Sequence, residues 1–334
     1  MRLFSAIFAL SFLFTGAIAQ PKTPESFGFR HLTTTFNGDP VDILIKSRNG
    51  DEQQPKPLFF YVQGSLPQPL IKYDEKGMYG VFTFPTDSLA KTYHLVIVSK
   101  PYIPVVADVK TLGRNYTWRD AKGLVPTTYN ERNNLDYYVN RNLHIIRFLQ
   151  KQPWVSRKAL VLAGHSEGST ICAKMASVSP AVTHLIYSGG NPLGRINSII
   201  QQSRRHETDS TSHLTNEQFS YWEQVVLHPE TVHPEGDSHK ATFSFSIPPL
   251  GYLLSLSVPV LVTFGTKDDS APFNDYLHTE VIRRKRRNFT FRSYPGTEHN
   301  FFPVRPDGSI DYSVYNWDKV GDDWYKWLRE HPGR

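Results

Sequence analysis

A chain of 334 residues, 39% of them hydrophobic, is long enough for one large α/β domain or two smaller ones around a substantial core. Its 37 lysines and arginines against 31 aspartates and glutamates leave a formal charge of +6, too mild an excess to suggest a nucleic-acid partner. One cysteine, Cys172, excludes an internal disulfide, so stability has to come from packing.

The amino terminus runs from Arg2 through an apolar stretch, Leu3 to Leu13, and reaches Ala17-Ile18-Ala19, the small-residue pattern that precedes a signal-peptidase cut. The run is interrupted by Ser5, Ser11 and Thr15 and followed by Pro21, which reads as a cleaved leader over 1–19 rather than a membrane anchor. The mature chain is then expected to begin at Gln20, to be exported to a periplasm or secreted, and to carry no stable anchor. Residues 20–334 form the remaining domain.

Residues 28–48 alternate about the turn residues Asn37-Gly38-Asp39-Pro40 and predict a hairpin. Leu58 to Val62 and Leu95 to Val98 are short and apolar on both faces, as strands buried on both sides are. Residues 102–130 read mostly as loop. Leu135, Tyr138, Val139, Leu143, Ile146 and Leu149 recur at three and four, which predicts an amphipathic helix over 131–151. Further strands are expected at Ala159 to Ala163, His184 to Tyr187, Val258 to Phe264 and Phe289 to Tyr294. Strand and helix alternating in this way favour a parallel sheet covered on both faces.

The alternation stops over 191–257, a polar, histidine-rich stretch with a helical pattern near Glu217 to Leu227. An insertion of this length between core strands would overhang the carboxyl edge of the sheet as a lid. His228, Glu230, His233, Glu235 and His239 fit no regular zinc spacing, and the prolines among them favour a loop over a metal site. Arg283 to Arg287 ends a predicted helix, where cations complement the carbonyl end of the dipole. Trp317 to Leu328 predicts a helix whose face of Val320, Trp324, Trp327 and Leu328 packs into the core.

Gly164-His165-Ser166-Glu167-Gly168 lies between an apolar strand and a small-residue helix start. In such an elbow the serine is held in a strained conformation, and the flanking glycines let strand and helix approach closely. Cys172, in the helix that follows, reads as a packing thiol. A serine hydroxyl needs a base, and the base a carboxylate that fixes its tautomer. Gly265-Thr266-Lys267-Asp268-Asp269 follows a strand and offers Asp268 as the acid. Asp269 stays open as an alternative, the losing residue capping the helix that begins near Pro272. His299, in Gly296-Thr297-Glu298-His299, follows the last strand and completes the order Ser, Asp, His. The backbone N–H of Glu167 and that of Ser65, after Gly64, are the candidate oxyanion donors. The Glu167 carboxylate is expected to point away or make a structural contact.

These motifs together resemble those of the α/β-hydrolase superfamily, and within it the secreted prolyl-oligopeptidase-like and dienelactone-hydrolase-like serine hydrolases. The resemblance spans nearly all of the mature chain. It implies a mostly parallel sheet of eight strands with helices on both faces, a Ser166, Asp268 and His299 triad, and no cofactor. Two departures stand out. Gln63-Gly64-Ser65 replaces the His-Gly of many relatives, and dienelactone hydrolases proper carry a cysteine nucleophile where this chain has Ser166. The expected substrate is a small ester or a short peptide. A peptidase would need an acidic group for the substrate amine, for which the insertion offers Glu217, Glu223, Glu230 and Glu235, and a non-catalytic binding protein on the same scaffold is the reading from a different class. Acyl specificity and oligomeric state leave no readable pattern.

Overall fold

The computed structural model describes residues 22–233 and 236–332, so the leader read over 1–19 and Glu235 lie outside the described residues. In chain order the elements are β1 (Arg30–Phe36), β2 (Asp39–Lys46), β3 (Lys56–Val62), β4 (Ile71–Asp74), β5 (Gly77–Tyr79), α1 (Asp87–Ala90), β6 (His94–Val98) and β7 (Val106–Asp108). Then come α2 (Thr127–Arg132), α3 (Leu135–Leu149), β8 (Val155–His165), α4 (Glu167–Val178) and β9 (His184–Ser188). The insertion contributes α5 (Arg195–Arg205), α6 (His213–Leu227), α7 (His239–Ser246) and α8 (Leu250–Ser255). The chain closes with β10 (Val260–Gly265), α9 (Ala271–Arg283), β11 (Phe289–Tyr294) and α10 (Trp317–Glu330).

Eight strands form the main sheet in the order β1-β2-β6-β3-β8-β9-β10-β11. The β1–β2 hairpin and the β2–β6 pair are antiparallel, and every pairing from β6 to β11 is parallel. Because side chains alternate across a strand, an apolar run with both faces covered feeds two cores at once. Leu58, Phe60 and Val62 enter the layer under α3 and α4, where Cys172 is fully buried, while Phe59 and Tyr61 enter the layer under α10. The α10 face of Val320, Trp324, Trp327 and Leu328 is buried there.

The helix expected over 131–151 is two helices. Asn134 leaves the helical region at φ −148° and its side chain accepts a hydrogen bond from Tyr137 N at 3.0 Å, so α3 starts afresh there. Residues 102–130 are not all loop: β7 pairs with β4 in a second sheet, order β5-β4-β7, whose strands are too short to show a period. The aromatic segment at Phe243 and Phe245 is helical, with Ser238 capping α7 through Ala241 N. Within the insertion α5, α6 and α7 pack on one another, and α8 packs on α4.

The closest backbone approach joins α4 to the sheet. A Cβ on Gly168 would overlap the carbonyl of Val62, and one on Gly164 would overlap the carbonyl of Gly168. Gly251, in α8, has nothing within 4 Å. Gly168→Ala is therefore expected to abolish soluble folded protein or to cost more than ~3 kcal/mol in urea unfolding, as severe overpacking does. Gly251→Ala should leave the midpoint unchanged or raise stability by up to ~1 kcal/mol. Equal effects of the two substitutions would contradict the seam.

Candidate active site

Ser166 sits between β8 and α4 at φ 57° and ψ −128°, a conformation that side chains rarely adopt. The surroundings hold it there: its N–H donates to Ser188 O at 2.9 Å, and its carbonyl accepts from Ser169 N at 3.0 Å and Ser169 Oγ at 2.6 Å. Its own Oγ has no hydrogen-bond partner among the described residues. The N–H of Glu167, first in α4, is one of the unpaired donors of a helix start.

Asp268 follows β10 and His299 follows β11, adjacent parallel strands whose carboxyl ends lie side by side. His299 Nδ1 lies 2.8 Å from Asp268 Oδ2, while Asp268 Oδ1 accepts from Ser270 N at 2.9 Å. Burial works against charge on both groups, but their mutual attraction outweighs it. The imidazole pKa is raised above its ordinary value and the carboxyl is lowered below its own. With Nδ1–H given to the carboxylate, Nε2 is left with its lone pair free. His165 packs against His299 with ring centroids 4.9 Å apart and against Trp317 at the same distance. Burial, with the neighbouring His299, pushes His165 down to about 3, so it stays neutral and serves as an uncharged wall.

Ser166, Asp268, His299, Glu167 and Ser65 all line one cavity of about 350 Å³. Ser65 has its carbonyl held by Tyr129 Oη at 3.0 Å, and its N–H has no acceptor among the described residues. Gly64 passes close to the nucleophile position, since a Cβ there would stand 3.5 Å from Ser166 Cβ. Asp269 also lines the cavity but does not cap α9. Its carboxylate pairs with Arg205 Nη1 at 2.8 Å, and the turn bond to Ser270 N is made by Asp268 itself. A long-range cation has overridden the local capping preference.

The Glu167 carboxylate is the centre of a buried ion network. Oε1 accepts from Lys100 Nζ at 2.9 Å, Oε2 accepts from Arg195 Nη2, and Arg195 Nη1 reaches Asp237 Oδ2 at 2.8 Å. Burial penalises the Glu167 charge, yet the two cations hold its pKa below the usual value. Lys100, Arg195 and Asp237 were not legible as site residues; the one local sign was a lysine two positions after the apolar strand at 95–98. Arg195 and Asp237 bring the insertion to the cavity wall beside Ser198, Gln202 and Phe245. Glu217, Glu223 and Glu230 are exposed and do not line the cavity.

Removing one member of a buried pair leaves the other charge unpaired, at roughly 3–5 kcal/mol. Glu167→Leu, which strands Lys100, is expected to destabilise by about that amount in urea unfolding, Lys100→Met by less because Arg195 still holds Glu167, and the double variant by clearly less than their sum. Additive losses would mean that the two groups do not interact.

Among curated proteins no sequence matches the chain. A family model described as Dienelactone hydrolase family matches residues 225–331, about a third of the chain, a segment that holds Asp268 and His299 and leaves Ser166 outside. Solved structures with a similar fold include the Pyrococcus horikoshii acylaminoacyl peptidase, with TM-score 0.55 and 14% identity, covering 92% of this chain and 42% of that one. Est1E from Butyrivibrio proteoclasticus has TM-score 0.53 and 12% identity, with 90% and 98% coverage. Two fungal esterases from Rhizomucor miehei are represented at TM-score 0.51 and 14% identity, with 91% and 83% coverage. This chain thus spans under half of the acylaminoacyl peptidase but nearly all of Est1E. With its doubly covered sheet, strand-to-helix elbow and loop positions, the chain has the α/β-hydrolase fold.

Proposed function

We propose that the chain is a serine hydrolase that cleaves a carboxylic ester, or a related acyl bond, through an acyl-enzyme on Ser166. The observation that carries this reading is the His299–Asp268 pair lining the same cavity as a serine held at a strained elbow. His299 Nε2 takes the Ser166 Oγ proton as Oγ bonds to the substrate carbonyl carbon. The oxyanion that forms is met by the N–H groups of Glu167 and Ser65. Collapse breaks the bond to the leaving alcohol, which departs with the proton from His299. Water, deprotonated by the same imidazole, adds to the acyl carbon, and the imidazolium returns that proton to Ser166 Oγ as the acyl bond breaks and the acid leaves. Asp268 keeps the ring in the working tautomer. The insertion over 191–257 acts as the lid and sets the acyl preference through its cavity-facing residues. The leader at 1–19 makes this an exported enzyme.

A fluorophosphonate probe should label the wild-type chain and fail to label Ser166→Ala; a folded wild type that resists the probe would favour a binding protein. Short p-nitrophenyl esters should turn over in preference to aminoacyl-anilides, and turnover of anilides alone would make it a peptidase. Because the base must be neutral to act, and its pKa is raised, kcat/KM should climb with pH through a midpoint above the ordinary histidine value of ~6.5. Asp268→Asn should lower that midpoint and cut kcat by roughly 10³–10⁴-fold. An unmoved midpoint in that variant would remove Asp268 from its proposed role.

A further inference from the structure

Separate from the cavity that holds Ser166, a second cavity of about 10 Å³ is walled by Gln63, Lys100, Tyr138, Arg141 and Asn142 among apolar neighbours, the Gln63 Nε2 donating to Val98 O at 3.2 Å. That volume gives room to a single water or monatomic ion and not to phosphate, sulfate or a carboxylate. Arg141 is 2% exposed. Its Nη2 donates to Ser99 O at 2.9 Å, but its Nε and Nη1 have no partner, and neither do Tyr138 Oη and Asn142 Oδ1. Three residues that carry unsatisfied groups thus line one small space.

The charges there do not balance. Glu167 is taken by Lys100 and Arg195, and Asp39 by Arg132, Tyr102 and Tyr137. Among the described residues no carboxylate pairs with Arg141. Its guanidinium lies 5.3 Å and 5.7 Å from the ring centroids of Tyr138 and Tyr137, favourable contacts that supply no counter-charge. A buried guanidinium is costly unless it is neutralised. Asp39 acts on Arg141 only from beyond ion-pair distance, so water would satisfy the hydrogen bonds and leave the guanidinium with no counter-charge in contact, whereas a monatomic anion supplies both. Asn142 adapts to either, because its Nδ2 has only the weak acceptor Met175 Sδ at 3.9 Å. Turning the amide over sacrifices almost nothing and brings an N–H donor into the position of the orphaned oxygen.

We propose that this cavity binds one halide, chloride in ordinary solution, held by Arg141, Tyr138 and Asn142 beside the Lys100–Glu167 pair. The site does not depend on the hydrolase reading. Its test is the melting temperature of the purified chain in sodium chloride and in sodium gluconate at equal ionic strength. Chloride and bromide should give a saturable rise of about 2–4 °C that gluconate does not. Tyr138→Phe, which keeps the ring, should weaken the apparent halide affinity several-fold, and Arg141→Met should abolish the dependence. Where Arg141→Met fails to fold, Tyr138→Phe and an anomalous bromide signal in crystals decide. Identical melting in the two salts, or an ordered water with no bromide signal in that cavity, would overturn the proposal.

Discussion

At residue 168 the backbone of α4 runs so close to the end of β3 that a methyl group would occupy the position of the Val62 carbonyl oxygen. This approach fixes where the helix begins relative to the sheet, and with it the direction in which residue 166 leaves β8. The loops after β10 and β11 reach the same rim because parallel strands end together there. Were the helix held a side chain's width away, Asp268 and His299 could still pair, but the serine would no longer share their cavity. The geometry of the site is in this sense a consequence of one missing side chain.

A second constraint works on charge. Glu167 belongs to the elbow, Lys100 to the segment after β6 and Arg195 to the first helix of the insertion, so three separate pieces of chain are joined at one carboxylate. Arg195 spends its other arm on Asp237, which ties two parts of the insertion together on the cavity wall. The residue that opens α4 at the cavity therefore uses its side chain to register the insertion against the sheet. His165, on the opposite side of Ser166, contributes by staying uncharged: a cationic ring there would repel the imidazolium expected at His299.

Much of the sheet was legible because a strand covered on both faces must be apolar at consecutive positions, as at 58–62 and 260–264, and no surface helix reads that way. The elbow was legible because its glycines are dictated by contact distance. Asn134 was harder: an asparagine serves in a helix or as its cap, and only the path of the chain before α3 decides. The short strands β4, β5 and β7 gave no period to detect. Asp268 and Asp269 could not be separated by composition or spacing, since the difference lies in which faces His299 and which faces Arg205. The Lys100–Glu167–Arg195 network joins residues 67 and 28 positions apart, a proximity that no local pattern records.

The backbone angles at residue 166 carry an evolutionary corollary. A non-glycine residue at φ 57° and ψ −128° withholds on the order of 1–3 kcal/mol from the folded state. Glycine would recover much of that at once, so thermal robustness and the hydroxyl are in direct competition at a single codon. A descendant lineage freed from any need for the hydroxyl would drift toward glycine at 166 while Gly164 and Gly168 stayed put, held by sterics alone. At residue 166 the strain of the backbone is therefore what holding a hydroxyl at this turn costs the fold.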